Sequence, residues 1–233
     1  MRRGRIMRAV AAAIAIGGGV YFLSAYEIIP DMWFWHYGKD TAASQEMLTV
    51  TPQGIPGDPI NVGLIGSKAE VLRAFAAAKW DPADPITLRS SIEIGASVVL
   101  DRPDPDAPVS TLMFDGRRQD LAFEKPIGES ADQRHHVRFW QTSRTGEDGR
   151  PLWLGSASLD RGVGVSHDTG QITHHIGPNV DAERNLIVDD LTAAKQLSGS
   201  YEIEGRGPTK DGRNGGGDLY VTDGMATVGI LIQ

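Results

Sequence analysis

Five of the six histidines in this chain fall between positions 135 and 175: His135, His136, His167, His174 and His175. A neutral imidazole nitrogen binds metal or accepts a proton near neutral pH, so such a cluster points to metal-ligand or acid–base chemistry. Four of the five occur as adjacent pairs, in "RHHVRFW" and "QITHHI". Both stretches read as strands, where successive side chains point to opposite faces. His135 then shares a face with Val137 and Phe139, and His136 with Arg138 and Trp140. His174 aligns with Ile172 and Ile176, and His175 with Gln171 and Thr173. Each pair divides between two faces, so a site must draw one member from each pair. His136 and His175, with His167 from the intervening loop, are the candidate ligands of a divalent metal. His136, Arg138 and His175 are the candidate catalytic groups, with Arg138 steadying developing negative charge. The plainer alternative makes His135 and His174 hydrogen-bonded core residues and leaves the others solvated. No H-E-x-x-H spacing supports the metal reading.

Arg117, Arg118 and Arg138 suit a phosphate or carboxylate, because a guanidinium donates in a planar fork. They equally suit structural ion pairs with Asp120 or Glu124. The glycine-rich "GRGPTKDGRNGGGD" has the glycine spacing of a phosphate loop at Gly207 and Gly212. Arg213-Asn214 stands where that loop needs Lys-Ser/Thr, so the segment reads as a tight connection. The absence of cysteine excludes disulfides, thiolate zinc sites and a cysteine nucleophile.

The elements that must position these groups form a single domain from about residue 59 to 233. "INVGLIG" is a β-rich run. In "SKAEVLRAFAAAKW", Ser67 and Glu70 make a capping box ahead of an apolar helical stripe. Residues 86–101 lean to helix. Residues 110–126 read as a hairpin turning at Asp115-Gly116. "HHVRFWQT" and "PLWLGSASLD" are strands, and 161–170 is a loop. A second helix runs from about Asp181 to Lys195, with acids at its positive end. "GSYEIEG" is a strand, and a terminal hairpin turns at Asp223-Gly224. This predicts an α+β fold, a mainly antiparallel sheet with helices packed on it. Its order matches the ferredoxin-like split β-α-β pattern, with insertions at 86–130 and a tail after 205.

Ahead of the domain lies a different composition. Four of the 23 basic residues fall in the first eight positions, leaving 19 against 30 acidic residues in the rest. An acidic body argues against nucleic acid as a partner. Arg2, Arg3, Arg5 and Arg8 precede an uncharged run from Ala9 to Ala25, about 26 Å as a helix. Tyr26, Trp33, Phe34, Trp35 and Tyr37 follow, as aromatics gather at headgroup depth. Residues 1–37 are therefore expected to be one N-terminal transmembrane helix, an uncleaved anchor preferred over a signal peptide. Residues 38–58 read as a linker. Arginines ahead of the span keep the N-terminus cytoplasmic and put the bulk of the chain on the periplasmic side of the inner membrane.

Several phrases together carry a resemblance: "GDPINVGLIGS", "DPADPITLRSS", "DRPDPDAPVSTL", "GRRQDLAFEKP", "RHHVRFW", "GRPLWLGSASLDRGVGVSH", "TGQITHHIGPNVDAERN" and "GRNGGGD". Over about residues 57–224 the chain resembles the LssY C-terminal domain family. The resemblance implies a membrane protein, since the domain commonly occurs in membrane proteins, sometimes alongside membrane domains of the phosphatidic-acid-phosphatase or DedA type. It supplies no mechanism. The phosphatase motifs of the associated membrane domain are absent here: there is no P-S-G-H.

Two functional expectations follow. One is an envelope-associated binding or accessory module that takes a lipid, an anion or a protein partner. The other is a metal-dependent hydrolase of a phosphoester or other envelope ester, with His136, His167 and His175 holding the metal.

Overall fold

The computed structural model describes residues 2–41, 47–84, 89, 111–128 and 133–233. The N-terminal helix α1 (Arg2–Leu23) continues through a wide π turn at Ser24–Ile28 into α2 (Ile29–Thr41). Within it, Arg5–Trp33 is long and apolar enough to cross a membrane, longer than the uncharged run alone. Tyr21 Oη donates to the Gly170 carbonyl at 2.8 Å, and Tyr26 Oη accepts from Ile172 N–H at 3.2 Å. The N-terminal helix is thereby bonded to the domain through Tyr21 and Tyr26, and Ala25 between these two positions in the chain is buried.

The domain begins with β1 (Leu48–Val50), β2 (Pro56–Pro59) and β3 (Val62–Ile65), then α3 (Lys68–Ala77) and β4 (Asp81–Pro82). After the undescribed stretch come β5 (Met113–Phe114), β6 (Arg117–Arg118), β7 (Leu121–Pro126), β8 (Arg134–Thr145) and β9 (Pro151–Val165). β10 (Ile172–Ile176), α4 (Val180–Ala193), β11 (Leu197–Glu204), β12 (Thr209–Arg213), β13 (Leu219–Thr222) and β14 (Met225–Leu231) complete it. Two parts of this differ from the sequence reading. The stretch read as linker carries β1 and β2. The loop expected at 161–170 is strand up to Val165, because β9 keeps pairing with β10 beyond the main sheet. The helix expected at 86–101 lies outside the described residues, Arg89 apart.

The fold is α+β and the main sheet is mostly antiparallel, in the order β11-β14-β3-β9-β8-β7-β4, with β10 on β9. Its centre keeps the split order, since β9 lies between β3 and β8. The departure is β14, which inserts parallel to β3 between it and β11. Asp223-Gly224 therefore does not close a hairpin: β13 pairs β12, and β14 leaves for the main sheet. The connector is pinned to α4 instead. Arg184 holds both Asp223 carboxylate oxygens at 2.8 and 2.9 Å, and Asp181 accepts from Asp223 N–H at 2.7 Å.

Local signals explain the helices. Ser67 N–H donates to Glu70 at 2.6 Å while Ser67 Oγ accepts from Glu70 N–H at 3.3 Å, so the capping box starts α3. Asn179 caps α4 through Ala182 N–H at 3.1 Å. Val71, Leu72, Phe75, Ile187 and Leu191 pack with Val62, Leu64, Phe123, Val137, Phe139 and Trp153 on one sheet face. Ile60, Ile65, Trp140, Leu152, Leu154 and Val228 form a second core on the other face. That face is capped by a small sheet in the order β2-β1-β5-β6, where Asp115 and Gly116, with φ of 50° and 72°, make the expected tight turn.

Candidate functional site

The second sheet face is apolar at one end and charged at the other. Cross-strand pairing sets Trp140 against Leu154, then Arg138 against Ser156, His136 against Ser158, and Arg134 against Asp160. All of the last six are buried, as is Asp58, which reaches the strip from β2. His136 and Asp58 are each only 4% exposed. Ser158 Oγ donates to Asp58 at 3.5 Å, and Asn214 also bonds that carboxylate. Arg134 donates to Glu124 at 2.9 Å, stands 3.6 Å from Asp160 and reaches the His174 ring at 3.4 Å. Ser156 Oγ is buried without a hydrogen-bond partner among the described residues.

Burial dominates the electrostatics. It pushes the Asp160 carboxyl up to about 6, against the pull of Arg138 and Arg134. Asp58 is raised for the same reason, opposed by Arg138. His136 is held well below the ordinary imidazole range by burial and then by Arg138 and Arg134, so it stays neutral. Burial also lowers Arg138, with Asp58 and Asp160 working against it. Two acids and a guanidinium kept out of water are costly unless they serve one another or a ligand.

A cavity of about 270 Å³ opens onto this strip. Asp58, Arg138, Asp160 and His174 supply its charged and polar wall, and Asn214 and Gly216 another part. Tyr26, from the N-terminal helix, lines it too. The cavity thus lies between the sheet and the N-terminal helix.

The second group sits at the β9–β10 ribbon. His175 Nδ1 lies 2.8 Å from Asp218 Oδ1, and His167 Nε2 lies 3.8 Å from the same oxygen. One ligand atom from each of the three lies within 4.8 Å of the others. Of the residues expected to form one metal site, His167 and His175 come together, and Asp218 stands beside them. His136 is in the buried strip, two strands away across β9. Register explains the division. Asp160 faces Ile176 and Arg134, so His174, not His175, shares the face of His136. Arg138 stays with His136, and of the remaining histidines His135 pairs with Glu183 at 2.6 Å on the helix side. Arg117 bonds Asp120 at 2.6 Å as a structural pair.

Asp58, Asp160 and Asp218 are the residues that sequence reasoning missed. Asp58 lay in the presumed linker and Asp160 ended a presumed strand. Asp218 closed a glycine-rich stretch read as bare connection; its signal was the Asn214…Asp218 bracket around three glycines.

The sequence model of the LssY C-terminus family matches residues 42–226. No curated protein and no solved structure matches.

Proposed function

The chain belongs to the LssY C-terminal domain family, and we propose that it is a membrane-anchored binding module that takes a polar group of lipid-headgroup size into its charged cavity. One observation carries this reading: the cavity joins Asp58, Arg138, Asp160 and His174 to Tyr26 of the membrane helix. A ligand held there meets a guanidinium, two carboxyls and an imidazole at the end of the span. Buried polar groups converging on a cavity are the usual mark of a ligand site. On this reading the helix anchors the chain, the basic N-terminus stays cytoplasmic, and the domain works on the extracytoplasmic side.

The test uses the full chain in nanodiscs of phosphatidylethanolamine and phosphatidylglycerol, released into native mass spectrometry. One lipid should remain bound per chain, and Arg138→Lys should lower its retention, because an ammonium cannot reproduce the guanidinium fork. A chain that emerges without lipid, or retains it equally with Arg138→Lys, would sink the reading. A reporter enzyme active only outside the cytoplasm, fused after Gln233, tests topology. It should be active; silence overturns the orientation.

A further inference from the structure

We infer that His167, His175 and Asp218 form a binding site for a first-row divalent metal of the zinc class, separate from the ligand cavity. Each offers one ligand atom, and these atoms all lie within 4.8 Å of one another; His175 Nδ1 and His167 Nε2 approach Asp218 Oδ1 at 2.8 and 3.8 Å. Two imidazoles and a carboxylate are an ordinary three-ligand set for zinc, leaving a further position for water.

The site is built rather than accidental. Its carboxylate is fixed from behind: Asp218 Oδ2 accepts from Ile176 N–H at 3.0 Å, which leaves Oδ1 to the histidines. Asn214 Oδ1 accepts from both Gly216 N–H and Asp218 N–H, at 3.0 and 2.9 Å, and so shapes the turn that carries the aspartate. His167 N–H donates to the Gly216 carbonyl at 2.9 Å, tying the other loop to that turn. Such outer contacts orient ligands in metal sites.

Two glycines make room for the cluster. A Cβ at Gly164 would stand 2.3 Å from His175 Nε2, so the glycine leaves room for the ring while its Nδ1 meets Asp218 at 2.8 Å. Gly217, with φ of 82°, would place a Cβ 2.9 Å from the Cβ of His167. A His175–Asp218 pair alone would account for one hydrogen bond. It gives no reason for a second imidazole, 64% exposed, aimed at the same oxygen. A shared cation does.

Equilibrium dialysis of untagged full-length protein in detergent, stripped with chelator and returned to zinc, tests this by elemental analysis. The chain should take up one zinc. His167→Ala changes an exposed side chain and leaves the fold intact. It should weaken uptake by more than the roughly 10–100-fold that loss of an outer contact costs. Asp218→Asn should do the same, and His36→Ala should change nothing. Cobalt substituted for zinc should give the intense visible bands of a low-coordinate site, lost in His167→Ala. Failure to take up zinc, or uptake indifferent to His167→Ala and Asp218→Asn, overturns the site. Lipid retention in the cavity is read separately, so either proposal can fail alone.

Discussion

Arg134 donates to Glu124 at 2.9 Å across the β7–β8 pair, and both side chains are almost wholly withdrawn from water. The bond closes the charged end of a sheet face whose other end is apolar core. Removing one partner strands the other charge, which costs about 3–5 kcal/mol in buried pairs. Arg134→Ala should therefore lower stability by about that amount, as read from urea denaturation. Replacing both residues together, Arg134→Met with Glu124→Met, should recover most of the loss. If the double variant is no better than the single one, the cost lies in packing or at Asp160, which Arg134 also faces, and not in the Glu124 carboxylate.

Asp160 predicts a pH signature. Its folded pKa of about 6 lies above the ordinary 3.8. Between those values the folded chain holds a proton that the unfolded chain has released. Stability from this group is therefore full below pH 3.8 and is lost as pH rises to about 6. Arg138, Arg134 and Glu183 face the carboxyl, and the same strip holds Asp58, raised by burial, and His136, lowered by it. The comparison with Asp160→Asn isolates its share. Measured at intervals from pH 4 to 8, the variant should gain on the parent as pH rises to about 6, then hold a constant advantage. A difference that is flat across that window would contradict the raised pKa.

How far the sequence foretold this arrangement depends on the range of the interactions. The start of α3 and the turn at Asp115-Gly116 are written in four-residue patterns, and both form as read. Asp223-Gly224 carries the same turn pattern. There Arg184, from a helix some forty residues earlier, holds the connector, and β3 claims the following strand. Strand alternation divides each histidine pair correctly, but both faces of this sheet are covered. Alternation therefore says that His135 and His136 part, without saying which is the more buried. His136 is. Gly162 and Gly164 look like loop residues, yet they sit in β9 opposite His175 and Thr173, where Gly164 spares the imidazole a collision.

Gly155 makes a similar argument in the core. It lies opposite Phe139 on β8 and Val62 on β3, and a Cβ there would fall 2.6 Å from the Phe139 ring. The ring is fully buried, packed edge-on against the stacked rings of Phe75 and Phe123, and has little room to retreat. Gly155→Ala should cost about 1–3 kcal/mol through overpacking. Combining it with Phe139→Leu should cost less than the two changes added separately. Strict additivity would mean that the two positions do not share the space.

Asn61 offers the sharpest test of how the two layers are joined. It is 1% exposed at the start of β3. Its Oδ1 accepts from Ala157 N–H at 2.9 Å, and its Nδ2 donates to the carbonyls of Ala157 at 3.0 Å and Val180 at 2.9 Å. One side chain therefore bonds β9 and the first residue of α4. Asn61→Ala leaves buried backbone groups without partners, each worth about 1–3 kcal/mol. Asn61→Asp keeps the shape but replaces two donors with a charge facing carbonyl oxygens, so it should be the worse of the two. Denaturation midpoints should rank parent, then Ala, then Asp. Hydrogen exchange should show the amides at the start of α4 opening first in Asn61→Ala. Equal stability of the Ala and Asp variants would mean that the Nδ2 bonds contribute little, and that packing alone holds α4 to the sheet.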